Sequence, residues 1–140
     1  MSADLNSSVT IPARLAVSVV LRRDGRFLLV ERANEPGRGM FAYPGGRVET
    51  GEQLTSAAGR ELMEETGLAA SNLREIARFD LDGADGGFQL HVFFTDTFSG
   101  ELTAGDDALS ADWYSLEQLR VMPVPQSVLE VAFTLSEIDS

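Results

Sequence analysis

The chain has 140 residues, 44% hydrophobic and 24% charged, with a formal net charge of −11 and no cysteine. That size and balance predict one soluble domain with a substantial core, and the missing thiols exclude disulfides, thiolate catalysis and zinc–thiolate sites. The acidic balance disfavours nucleic acid as a partner, because such binding relies on Lys and Arg contacts to phosphates.

No apolar run reaches the roughly 18 residues of a membrane span, so no membrane partner is expected. Met1–Thr10 lacks the basic-then-apolar pattern of a secretory signal, and a cytoplasmic location is expected. All 11 basic residues are Arg. Arginine suits bidentate phosphate contacts, which leaves a small phosphorylated substrate open.

In chain order, residues 1–11 read as a flexible polar lead closed by Pro12, leaving 12–140 as the domain. Leu15, Val17, Val19 and Leu21 alternate with Ala16, Ser18 and Val20, predicting a strand with one strongly apolar face. Asp24-Gly25 is a favoured hairpin turn, after which Phe27–Glu31 should return antiparallel. Arg32–Met40, with Asn, Pro and two Gly, reads as a loop. Phe41–Tyr43 is a short extended piece broken by Pro44-Gly45-Gly46, where glycine lets the backbone approach a ligand closely.

The next stretch organises the chain. Gly46 is followed after five residues by Glu52, and after seven more by Arg60-Glu61-Leu62-Met63-Glu64-Glu65-Thr66-Gly67-Leu68. Thr50-x-x-Gln53 predicts a capping box opening a helix near Glu52, and Gly67 is placed to end it after roughly 14–16 residues. On that helix Glu61, Glu64 and Glu65 stand at i, i+3 and i+4, where like charges repel by about 0.2–0.5 kcal/mol per exposed pair. Glu61 and Glu65 also fall within the apolar stripe of Leu54, Ala57, Ala58, Leu62 and Leu68. Inward-facing carboxylates need compensating cations, and one Arg60 is too few for three glutamates. A divalent metal satisfies them, and hard carboxylate oxygens suit Mg²⁺ or Mn²⁺. Glu52 lies nine residues before Glu61, so ideal winding would point it away and it must act from the first turn or the preceding loop.

Downstream, Leu73–Leu81 predicts a strand, 82–87 a loop and Phe88–Thr95 another strand carrying His91, the only histidine, as a packing or surface residue. Ser99–Leu102 reads as a turn, Asp112–Tyr114 as a short strand and Leu116–Leu119 as a turn of helix. Val128, Leu129, Ala132 and Leu135 form the stripe of a C-terminal helix packed on the sheet. This order suggests an α/β fold, a mixed β-sheet between helices in an α/β/α sandwich.

The string from Gly46 to Leu68 resembles the signature of the Nudix hydrolases at every defined position, and Phe41-Ala42-Tyr43-Pro44-Gly45-Gly46 is similar to the lead-in common in that family. The resemblance implies the same sandwich and hydrolysis of a nucleoside diphosphate linked to another group X, with Mg²⁺ as cofactor and Mn²⁺ as a possible substitute. It implies Glu61 and Glu65 as principal metal ligands and Glu64 as ligand or water-positioning base. Glu52 would be a further ligand or base, Arg60 would orient a glutamate, and Gly46 and Gly67 would be structural. The Gly45 carbonyl is a further candidate ligand, and Arg32 and Arg38 are candidate clamps on the substrate phosphates.

The segment Ala104-Gly105-Asp106-Asp107-Ala108 resembles the branch acting on ADP-ribose or related ADP-sugars. Nucleoside triphosphates, including oxidised ones, are the alternative substrates, and a non-catalytic nucleotide sensor is the alternative of another class. Many relatives carry a further acidic residue, commonly where Ser110 stands here, and that role would fall to Asp106, Asp107, Asp112 or Glu64. Phe41, Tyr43 and Phe93 are candidates for stacking on a base. A homodimer is possible, as relatives often are dimers.

Overall fold

The structure, a computed structural model, describes residues 14–82, 86–105 and 107–138. The expected lead over 1–11, and Asp106, lie outside them. Strands β1 (Arg14–Arg23) and β2 (Arg26–Arg32) meet at a turn in which Asp24 and Gly25 have φ of 53° and 76°, the positive values that a two-residue hairpin turn favours. The pairing ends after Arg22↔Phe27 and Arg23↔Arg26. Beyond that, the two strands diverge, and each acquires other neighbours.

β1 runs antiparallel to β4 (Gly45–Arg47) and parallel to β7 (Phe88–Thr95), which pairs in turn with β6 (Arg74–Leu81). β2 lies between β3 (Phe41–Ala42) and β9 (Ala108–Ser115). The result is a seven-stranded mixed sheet.

Helix α1 (Leu54–Thr66) covers one face and α3 (Gln126–Ile138) the other, with the short α2 (Leu116–Leu119) leading into α3. The layers match the expected sandwich. The expected single apolar face of β1 does not hold. Val17, Val19 and Leu21 pack with Ala57, Ala58 and Leu62 under α1, while Val20 joins Val128, Val131, Ala132 and Leu135 under α3. A strand at the centre of a sheet covered on both sides is buried on both faces.

Three further elements differ from expectation. Ser99 and Gly100, read as part of a turn, belong to β8 (Phe98–Gly100), which pairs with β5 (Leu68–Ala70) immediately after α1. β9 extends well beyond Asp112–Tyr114. The capping box at Thr50 does not form either. The helix starts at Leu54 with Gln53 as an N-cap that makes no side-chain capping bond. Glu49 and Glu52 instead close a turn ahead of it, the Glu52 N–H donating to the Glu49 carbonyl at 2.9 Å and the Glu49 N–H to Glu52 Oε1 at 2.9 Å. Among the described residues, no helix is long and apolar enough to cross a membrane.

Candidate active site

α1 and β4 build the site between them. Gly45-Gly46 lies beside β1 so tightly that a Cβ on Gly45 would collide with the Val17 carbonyl, and one on Gly46 would come within 2.5 Å of the Glu61 carboxylate. Glycine here lets a helix carboxylate press against strand backbone, with the Gly45 N–H donating to Glu65 Oε1 at 3.4 Å. Gly67 ends the helix as expected, with φ of 76° and its N–H donating to Met63 O.

The three helix carboxylates separate by exposure. Glu61 is 14% exposed, against 57% for Glu64. Glu65, like Glu61, is half-buried within the apolar stripe. Arg60 spans more carboxylates than its single charge suggests. Its Nε donates to Glu52 Oε2 at 2.8 Å and its Nη2 to Glu52 Oε1 at 3.0 Å. Its Nη1 donates to Glu61 Oε2 at 3.0 Å and Glu64 Oε1 at 3.3 Å, and lies 3.9 Å from Glu49. That hydrogen bonding holds the Glu52 carboxyl below the usual carboxylate range, and raises the Arg60 guanidinium further above its own. Glu52 thus sits in the turn before the helix, one of the two places the nine-residue spacing left for it.

Arg60 leaves Glu65 out. Burial pushes the Glu65 carboxyl up to about 8, with a hydrogen bond to Glu61, that residue's charge and that of Asp107 adding to the effect. Two carboxylates face each other here, and Arg60 reaches the pair only on its Glu61 side. Among the described residues, no three acidic or histidine side chains are already gathered as a metal cage, and Arg60 is bonded to Glu52, Glu61 and Glu64. The Glu61–Glu65 pair nonetheless fits a divalent cation. It offers hard oxygens, partial burial and, in Glu65, a carboxylate that Arg60 does not reach, against glycine backbone with no room for a side chain.

A cavity of about 300 Å³ opens over this pair, lined by Glu61, Glu65, Asp107, Asn34, Arg32 and the Gly45-Gly46 backbone, among others. Among the described residues, Asp107 is the acidic candidate for the role left open by Ser110 that lines this cavity. Asp112 and Glu64 line neither this cavity nor the larger one beside it, and Asp106 lies outside the described residues. Asp107 is brought in by backbone bonds, the Gly105 N–H donating to Glu65 O at 2.8 Å and the Ala33 N–H to Asp107 O at 3.2 Å. Asn34 Nδ2 donates to Asp107 Oδ1 at 3.4 Å. These contacts join loops far apart in sequence, and no local pattern announces them.

Arg32 lines both cavities, while Arg38 is exposed and lines neither, so the phosphate role expected of Arg38 has no geometric support. Ser110 also lies outside both, its hydroxyl donating to Glu31 Oε1 at 3.0 Å. Of the proposed stacking residues, Phe93 is buried under α1 and Phe41 packs edge-on against Tyr114. Tyr43 lines both cavities, and its hydroxyl donates to Val128 O at 2.8 Å, tying α3 to the site. His91 is buried between Glu75 and Gln89, at 2.7 and 2.8 Å.

The larger cavity, about 660 Å³, lies on the α3 side of β4. Phe79, Phe88, Leu90, Val92 and Val128 form its apolar wall, and it shares Arg32, Ala42, Tyr43, Gly45 and Gly46 with the acidic one. Sequence periodicity could not reveal it, because the same residues read as ordinary core.

The family model described as a NUDIX domain matches residues 12–132. An ADP-ribose pyrophosphatase of Methanocaldococcus jannaschii is 39% identical over 107 residues, 75% of this chain and 63% of that protein. The match thus spans less than two thirds of that relative's length. An oxidized purine nucleoside triphosphate hydrolase of Danio rerio is 32% identical over 109 residues, 76% of this chain and 69% of that one. The crystal structure of a MutT NUDIX hydrolase from Burkholderia pseudomallei has a TM-score of 0.77 at 29% identity, over 85% of this chain and 94% of that chain.

Proposed function

The chain belongs to the Nudix family, and from that premise we propose that it is a Mg²⁺-dependent pyrophosphohydrolase of nucleoside diphosphate derivatives, with ADP-ribose or a related ADP-sugar as substrate. One observation carries the reading. An apolar cavity suited to a base and an acidic cavity suited to a metal-bound diphosphate meet over the side-chain-free Gly45-Gly46 backbone, with Arg32 at the junction. The likeness to the ADP-ribose pyrophosphatase of M. jannaschii supports the choice of substrate.

Glu61 and Glu65 would hold the cation, both as carboxylates. Glu64 and Glu52 are the further oxygen donors within reach, both now engaged by Arg60. A bound divalent ion supplies charge neutralisation at the phosphoryl oxygens and lowers the pKa of a water molecule. Arg60 keeps Glu61 and Glu52 oriented by charge-assisted hydrogen bonds. Arg32 binds the diphosphate at the mouth of the two cavities. Asp107, steadied by Asn34, accepts the proton of the attacking water, the role left open by Ser110.

A hydrolysis panel with Mg²⁺ or Mn²⁺ tests the proposal, using ADP-ribose, ADP- and UDP-sugars, NADH, dinucleoside polyphosphates and nucleoside triphosphates. Turnover of ADP-ribose to AMP and ribose 5-phosphate, abolished by chelator, is the expected result. Turnover confined to triphosphates would favour the second reading, which the D. rerio relative supports. Nucleotide binding with no product from any substrate would replace the enzyme with a sensor.

A further inference from the structure

One buried polar atom beside the larger cavity has no hydrogen-bond partner. Among the described residues, the Ser18 hydroxyl is the buried side-chain oxygen or nitrogen without a hydrogen-bond partner, and Ser18 is only 7% exposed. Ser18 lines the larger cavity. Strand alternation puts its side chain on the same face of β1 as Val20, which packs under α3. Its neighbours across the sheet are Gly45, which has no side chain to meet it, and Val92, which is apolar.

Buried polar groups are nearly always paired, and an orphaned hydroxyl forfeits its hydrogen bonds to water without replacement. Alanine at this position would avoid that loss. A hydroxyl is useful there if a ligand completes it. Serine has three staggered rotamers, so rotation about χ1 turns the hydroxyl toward an occupant of the cavity.

The surroundings define the occupant. The other walls are Phe79, Phe88, Leu90, Val92 and Val128, and the Tyr43 hydroxyl is already committed to Val128. A sugar with several hydroxyls would leave most of them unpaired, whereas a planar heterocycle buries its faces and needs partners only at its edge. The base therefore occupies this side. Group X leaves past Asn34 and Asp107, both of which are exposed and offer little to select on.

Resting on the nucleotide reading above, we propose that Ser18 is a specificity-determining residue that reads the edge of the base, so that this protein selects its substrates at the base and tolerates changes in X. The hydroxyl is uncharged and fixed on a strand, so it distinguishes bases by whether their edge places a hydrogen-bonding group within its reach rather than by charge.

The test uses wild type, Ser18→Ala and Ser18→Cys, with ADP, IDP and UDP as binding probes followed by thermal shift. ADP-ribose, ADP-glucose and NADH serve as substrates that share the base and differ in X. Wild type should separate the three diphosphates by about 10-fold or more in apparent Kd, the scale of one hydrogen bond. Both variants should bring them within about 2-fold, with ligand-free Tm unchanged or raised. The three ADP-based substrates should have kcat/KM values within about 10-fold of one another.

Unchanged preference among the diphosphates in both variants would overturn the proposal. So would a lower ligand-free Tm with preference intact, which would make Ser18 structural. Strong selection on X with indifference to the base would overturn it as well. If wild type binds ADP but hydrolyses nothing, the hydrolase reading fails while the binding comparison still decides Ser18. If no nucleotide binds, both fail.

Discussion

Glu65 is where burial and charge conflict most. Its carboxyl titrates near 4.5 when exposed and near 8 in the fold, chiefly because burial disfavours the ion. Between those values the native chain holds a proton that the unfolded chain has released. Metal-free stability therefore falls as pH rises through that window, by at most about 1.4 kcal/mol per pH unit, and the loss is complete above it. Denaturation in chelator from pH 5 to 9 should show the decline, and Glu65→Gln should flatten it. A variant that kept the slope would place the titrating group elsewhere. Asp107 makes a separate prediction. Asp107→Asn preserves the side chain's size and removes the base, so kcat should fall by roughly 10²-fold or more with nucleotide binding little changed. An unaltered kcat would remove Asp107 from the proton transfer.

At the scale of elements, α1 was the most legible part of the chain. The apolar stripe at helical spacing located it, the glutamates inside that stripe marked the face that matters, and Gly67 marked its end. Its beginning is not legible, because Thr50 and Gln53 have the spacing of a capping box while Glu49 and Glu52 pair with each other and with Arg60 instead. β5 and β8 were invisible as a pair, since each is three residues long and exists through the other. The helix end is testable. Alanine at Gly67 must adopt φ near 76° and bring its Cβ to 2.9 Å from Glu101 O. The left-handed conformation alone costs about 1–2 kcal/mol for an L-residue. Urea denaturation of Gly67→Ala should show a loss of at least that size, and a change of only a few tenths would mean that the turn relaxes freely.

Across the molecule, the sandwich follows from strands and helices whose apolar residues recur at the expected periods. The site depends on contacts those periods do not encode. β1 serves two cores at once, one face under α1 and the other under α3. β4 is too short to announce itself, yet its two glycines bring the acidic and apolar cavities together. The acidic half of the site was readable from one contiguous string. The apolar half is assembled from β1, β4, β6, β7 and α3, and Asp107 arrives on a loop whose position is set by long-range backbone bonds.

Hydrolysis as proposed depends on a cation held by Glu61 and Glu65. The most direct measurement is kcat/KM for ADP-ribose in Glu65→Gln against wild type at saturating Mg²⁺, alongside Mn²⁺ affinity of both proteins. Even outer partners of metal ligands are worth about 10–100-fold in affinity or activity, so a ligand itself should be worth more. In Glu65→Gln, kcat/KM should fall more than about 100-fold and Mn²⁺ binding should weaken with it, the fold remaining intact. Wild-type turnover and wild-type Mn²⁺ affinity in that variant would contradict it.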